Sequence, residues 1–361
     1  MTLDLDHMRQ AMRLMQAGDL PAATRALQQR LGGVPAPAPA ARDDAIRPAP
    51  GPHLEGEFRV VDAAPVRLGV TPGPRGGAAR ERFAGAAGEL EYLLHVPAGL
   101  EVAGAPLLLM LHGCTQTPED FARGTRMNQV AAREGFVIAW PAQPQGRNPN
   151  RCWNWFRGSD QSRGQGEPAM LAGLAQHLVG RHGLDADRVY VAGLSAGGAM
   201  AAVLASTYPD VFAAIGVHSG LPVGMAHDAP SAFAAMRGKG GRSRPVVAAG
   251  GPRVPAIVFH GDSDTTVHPG NGASVIEQSL GDAGARAGIV SSVEQGAAAG
   301  RRATRTVHRT ADGRVAAEHW LVHGAAHAWS GGDASGSHAD PQGPDASAEM
   351  LRFFGECRRD G

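Results

Sequence analysis

The chain has 361 residues, with 34 Lys plus Arg balanced by 34 Asp plus Glu, so nothing in its net charge points to nucleic acid or another strongly anionic partner. No run of about 18 apolar residues occurs, which excludes an ordinary transmembrane helix. Gly (50) and Pro (26) are abundant and aromatic residues make up 5%, so long irregular connections are expected.

The opening stretch, Met1 to Met8, is acidic and lacks a secretory apolar core. The chain is therefore expected in the cytoplasm. Leu5, Met8, Met12 and Met15 recur at helical steps, Gly18-Asp19 interrupts, and Leu20, Ala23, Leu27 and Leu31 resume the period. Residues 1–33 are read as a helical hairpin, either a packing appendage or an amphipathic surface for a partner or apolar particle. Residues 34–55 are a Pro/Ala-rich linker, and a catalytic domain is expected over 56–361.

Within that domain the spacing predicts strands at 90–96, 107–111 and 136–140, then a loop over 141–150 that leads to the aromatic cluster Trp153, Trp155 and Phe156. Helices are expected near 127–134 and 168–182. A strand at 189–192, a small-residue helix at 198–206 and a strand at 213–218 follow. Next come a helix near 231–236, a Gly/Arg/Pro-rich loop at 237–253, a strand at 256–259 and a helix at 272–280. Residues 282–303 are poor in apolar side chains and are expected to be irregular. A strand at 318–322 and a helix at 346–356 close the domain. Strands alternating with helices predict a mainly parallel sheet covered on both faces, with active groups at the carboxyl ends of the strands.

Gly193-Leu194-Ser195-Ala196-Gly197 ends one such strand and opens a helix, the setting in which G-x-S-x-G presents a nucleophile. A neutral serine needs a base, and the base needs an orienting carboxylate. Asp264, in the turn after strand 256–259, is the expected acid, while Asp262 is expected to brace the turn. His327 is the expected base, with His323 and His338 as rivals. Oxyanion donors are expected from the backbone of Ala196 and of the loop His112-Gly113-Cys114. His112, His218 and His260 each end a strand and are expected to satisfy hydrogen bonds around the site.

Five segments then point one way. Leu111-His112-Gly113-Cys114-Thr115-Gln116, Arg151-Cys152-Trp153-Asn154-Trp155-Phe156, Gly193–Gly198, His260–Asp264 and His327–Gly332 together resemble the polyhydroxybutyrate depolymerase family of esterases, over about residues 88–356. The resemblance implies an α/β-hydrolase fold, hydrolysis of short-chain hydroxyalkanoate polyesters, and Ser195, Asp264 and His327 as triad. It is strongest to intracellular members whose catalytic domain is like the secreted type, and related members are secreted.

On that basis His112, Trp153, Trp155 and Trp329 are expected to contact substrate, the three tryptophan rings walling an aliphatic ester chain, with core or loop-anchoring packing as the alternative for Trp153 and Trp155. The resemblance favours a Cys114–Cys152 disulfide, although a reducing cytosol opposes it. No metal and no cofactor are expected. Alternatives remain open: a short-chain carboxylesterase or a feruloyl or acetyl esterase on the same fold, and a non-enzymatic protein bound to polymer granules through residues 2–31.

Overall fold

The computed structural model describes residues 79–239 and 253–359, apart from 283, 285 and 299. The predicted hairpin and linker, residues 56–78, and most of the predicted 237–253 loop lie outside the described residues.

One ten-stranded sheet organises the described chain, in the order β1-β2-β4-β3-β5-β6-β7-β10-β9-β8. Its strands are β1 (Ala79–Gly85), β2 (Gly88–His95), β3 (Leu107–Leu111), β4 (Val137–Pro141), β5 (Val189–Leu194), β6 (Ala214–His218), β7 (Ala256–Gly261), β8 (Val290–Ala298), β9 (Arg301–Arg309) and β10 (Val315–Val322). From β4 through β3, β5, β6 and β7 to β10 every pairing is parallel. Antiparallel pairs, β1–β2 and β8–β9, finish the two edges. This is the architecture of the α/β-hydrolase fold.

The helices are α1 (Pro118–Thr125), α2 (Met127–Glu134), α3 (Gly166–His182), α4 (Ala196–Thr207), α5 (Ala229–Met236), α6 (Gly270–Leu280) and α7 (Ala346–Gly355). The central strands β3 to β7 are buried at every position because both faces are covered, and are apolar but for His218 and His260 at the ends of β6 and β7. Leu107, Leu109 and Leu111 enter the core shared with α3, α4, α5 and α6. Leu108 and Met110 enter the opposite core, with α1, α2 and α7. Each fully buried leucine contributes on the order of 2 kcal/mol. A small second sheet pairs β11 (Trp329–Ser330) with β12 (Ala339–Asp340). No helix among the described residues is long and apolar enough to cross a membrane.

Two expectations are corrected. Residues 282–303 are not irregular: β8 and the start of β9 occupy most of that span. Between Arg301 and Arg309 only Ala303 and Val307 are buried, so the alternating signal is too thin to read. The hairpin is held by its backbone ladder onto β10, by Arg305 donating to the buried Glu318, and by Ala303 and Val307 in the core. Helix α1 was not expected either, yet its signals are local. Thr117 caps it by accepting from the Asp120 N–H at 3.3 Å, Pro118 opens it, and Glu119 and Asp120 face its positive end.

Candidate active site

Ser195 sits between β5 and α4 with φ 57° and ψ −117°, a conformation a side-chain-bearing residue adopts only under constraint. The constraint is the close approach of backbone on either side. A Cβ on Gly193 would strike the Gly197 carbonyl carbon, and one on Gly197 would strike the Leu111 carbonyl oxygen, both too rigid to yield. The Ser195 N–H donates to His218 O at 2.8 Å, pinning the elbow to β6. The serine therefore stands at the carboxyl end of the sheet, at the N-terminus of α4.

Asp264 follows β7 and His327 follows β10, and the structure brings them together. His327 Nδ1 donates to Asp264 Oδ2 at 2.7 Å. The other carboxylate oxygen accepts the N–H groups of Thr266 and Val267, each at 2.9 Å. His260, fully buried, directs Nε2 at Val267 O (2.9 Å) and lies 3.4 Å from Asp264 Oδ2. Burial pushes the Asp264 carboxyl up, but the His260 and His327 donors and the Val267 N–H outweigh it and hold it well below the usual carboxylate range. An ionised carboxylate only accepts, so the hydrogen of neutral His327 sits on Nδ1 and its Nε2 carries the lone pair. Among the described residues neither Ser195 Oγ nor His327 Nε2 enters a further hydrogen bond.

The rivals are placed as clearly. His323 pairs with Asp262, not with Asp264. His338 stands edge-on to His327 with ring centres 6.3 Å apart. His218 is fully buried between Trp329 and Phe259, accepts the Ser330 N–H at 2.9 Å through Nε2, and is driven by burial down to about 3.

The loop after β3 lies against the elbow. The N–H groups of Cys114 and Ala196 donate to no partner among the described residues, as oxyanion donors must. A disulfide joins Cys114 to Cys152, and the Thr115 N–H donates to Asn150 O at 2.6 Å, so this loop and the aromatic loop move as one. Behind them lies a buried network that the sequence did not reveal. Glu167, in the first turn of α3, accepts from Gln143 Nε2, from Asn154 Nδ2 and from the Asn154 N–H. Burial raises its carboxyl. The Gln143 N–H in turn donates to His112 Nε2 at 3.2 Å. An acidic residue in a helix's first turn reads as a partner for the helix dipole, which hid this role.

The residues expected to contact substrate are placed as follows. His112 is buried, with Nε2 accepting from Gln143 and Nδ1 donating to Gly113 O at 2.8 Å, and burial lowers it to about 4. Trp153 is fully enclosed and donates Nε1–H to His112 O at 3.1 Å. Trp155 packs edge-on against Phe156. Trp329 stacks on His218 and donates to Ser347 Oγ at 3.1 Å. The three tryptophan rings are buried and brace the loops from below, while His112 is among the residues that line a cavity beside the loop after β3.

Fold and elbow thus define a member of the α/β-hydrolase class. The family profile described as "Esterase PHB depolymerase" matches residues 90–308, and the chain belongs to that family. It is 37% identical over 204 residues to "Poly(3-hydroxyalkanoate) depolymerase C" of Paucimonas lemoignei, covering 53% of this chain and 48% of that protein. It is 33% identical over 144 residues to "Feruloyl esterase B" of Thermothelomyces thermophilus, covering 40% and 48%. The chain thus spans about half the length of these relatives. Among solved structures, an acetyl xylan esterase from Aspergillus awamori superposes with a TM-score of 0.60 at 19% identity, covering 77% of this chain and 99% of that one. That likeness speaks for the fold alone.

Proposed function

We propose that this protein is a serine esterase that cleaves poly(3-hydroxybutyrate) or its oligomers through an acyl-enzyme. Ser195 Oγ attacks the ester carbonyl, and His327 Nε2 takes its proton. Asp264 keeps the ring's other nitrogen protonated and stabilises the imidazolium that forms. The oxyanion accepts from the Cys114 and Ala196 N–H groups. His327 then protonates the departing alkoxide, and a water, deprotonated by the same nitrogen, hydrolyses the acyl-serine. The observation that carries this reading is the 2.7 Å His327–Asp264 pair, at the same sheet end as a serine held at positive φ. The Ser195–His327 bond still has to form, as such bonds commonly tighten only with substrate present. The polyester substrate is supported by family membership and by the Paucimonas lemoignei relative.

A second reading, cleavage of acetyl or feruloyl esters on hydroxyl-rich substrates, is favoured by the site's surroundings. The Trp153, Trp155 and Trp329 rings are buried. A cavity of about 480 Å³ beside the loop after β3 mixes apolar and charged lining, with Leu90, His112 and Ala142 beside Arg82, Glu89 and Arg151, and the charged groups offer hydrogen bonds to such a substrate. Product analysis on amorphous poly(3-hydroxybutyrate), hydroxybutyrate oligomers and acetylated or feruloylated xylo-oligosaccharides separates the two. Hydroxybutyrate release as the dominant product supports the first, and its absence beside rapid acetate or ferulate release replaces it with the second. Residues 56–361 are the proposed catalytic domain, and residues 2–31 a proposed contact for the polymer granule.

A further inference from the structure

The turn that carries Asp264 and the loop that carries His327 are tied together by groups the ester mechanism does not use. Asp262 Oδ2 accepts from His323 Nδ1 at 2.9 Å, and Asp262 Oδ1 accepts the Gly324 N–H at 2.7 Å. With its Nδ1 hydrogen facing a carboxylate, the neutral His323 ring has its lone pair on Nε2, which accepts from Thr304 Oγ1 at 2.9 Å. Two backbone bonds run alongside, Asp262 N–H to Val322 O and Ser263 N–H to Ala325 O, each 3.1 Å. Arg301, at the start of β9, donates Nη1 to Gly324 O at 2.9 Å and ion-pairs with Asp340.

A hydroxyl–imidazole–carboxylate chain thus runs from β9 across the His327 loop to the Asp264 turn. It copies the order of the proposed triad with one difference. Thr304 is a ladder residue of β9, opposite Leu321 on one side and Gln295 on the other, so it is not presented on an elbow as Ser195 is. The side chains of Asp262 and His323 are 36% and 34% exposed. A polar pair so open to water adds little to folding. Both ring nitrogens are nevertheless fixed, and the carboxylate also holds the backbone three residues before His327. That arrangement sets geometry more than stability.

We propose that Asp262, His323 and Thr304 are positioning residues, which hold the Asp264 turn and the His327 loop in register so that His327 Nε2 can reach Ser195. The proposal rests on the triad reading above. Because the contacts are polar and near the surface, their loss displaces the imidazole without opening the core. Displacements of about 1 Å from such a cause lower turnover by up to about 100-fold.

The test uses the full chain and p-nitrophenyl butyrate. Asp262→Asn is expected to lower kcat about tenfold with KM unchanged. The downfield proton resonance of His327 Nδ1–H should broaden or shift. Thr304→Val should lower kcat by a smaller factor, and Thr304→Ser, which keeps the hydroxyl, should restore it. Wild-type kcat and an unmoved resonance in Asp262→Asn, with only a lower melting temperature, would overturn the positioning role. So would an acyl adduct on Thr304 found by mass spectrometry in Ser195→Ala, since the chain would then be a second acyl acceptor. Undiminished hydrolysis in Ser195→Ala is a separate outcome, which removes the underlying triad reading.

Discussion

The two walls of the site are built from opposite materials. On the side of β3 and β4 the wall is interior: Glu167, Gln143, Asn154, His112 and Trp153 are all buried, and a disulfide locks their loops together. On the side of β7 and β10 Asp264 and His260 are buried, but the outer ties, Asp262, His323, Arg301 and Thr304, are reached by water. The difference follows from the work proposed for each wall. Backbone donors aimed at a developing oxyanion must be in place before charge appears, and a dry, rigid setting makes each worth more. An imidazole that takes up and returns a proton needs freedom to turn slightly and a partner that keeps its tautomer.

Several substitutions break or sharpen that contrast. The largest effect is expected where the walls meet. Ser195→Ala should lower turnover about 10⁶-fold, measured on a soluble ester. Asp264→Asn, which keeps shape but no longer demands a hydrogen on His327 Nδ1, should lower kcat by about 10⁴-fold. On the interior wall, Glu167→Ala strands the Asn154 N–H and two side-chain amides. It should cost on the order of 3 kcal/mol in denaturant unfolding. Replacing Cys114 and Cys152 together by serine opens a loop of 38 residues and should cost about 4 kcal/mol, read as a shift in the urea midpoint.

The smallest and most specific effect is in pH. Asp264 and Asp262 lie below the ordinary carboxylate range when folded, so their contribution is complete above that range and fades as pH falls through their folded values. Glu167 lies above it, so its contribution is complete below the unfolded value and is lost as pH rises through its folded one. Acidification should therefore loosen the β7–β10 wall first. Hydrogen exchange, corrected for intrinsic rates, should speed up at 322–327 before it does at 143–154, and the reverse order would overturn the contrast.

Much of this was legible from local pattern. The uniformly apolar strands 107–111 and 189–194 announce a sheet covered twice, and the two glycines around Ser195 announce a turn with no space for a Cβ. The edge hairpin β8–β9 was not legible, because it is held by ladder bonds and by contacts to distant residues, such as Arg305 to Glu318, rather than by a local apolar pattern. The placement of the tryptophans was left open by the sequence for a related reason: a tryptophan in a loop looks the same whether its ring faces a ligand or the core.

By itself the sequence determined the fold class and the chemical types at the strand ends, since both depend on periodicity and on a few small residues at short spacing. The Asp264–His327 pair was expected from the order of the motifs, but only the tertiary structure showed that Asp262, two residues before Asp264, meets His323 and through it Thr304. Burial separates the two pairs, because Asp264 is enclosed by the fold while Asp262 and His323 stay partly in water, and burial depends on contacts between strands far apart in the chain.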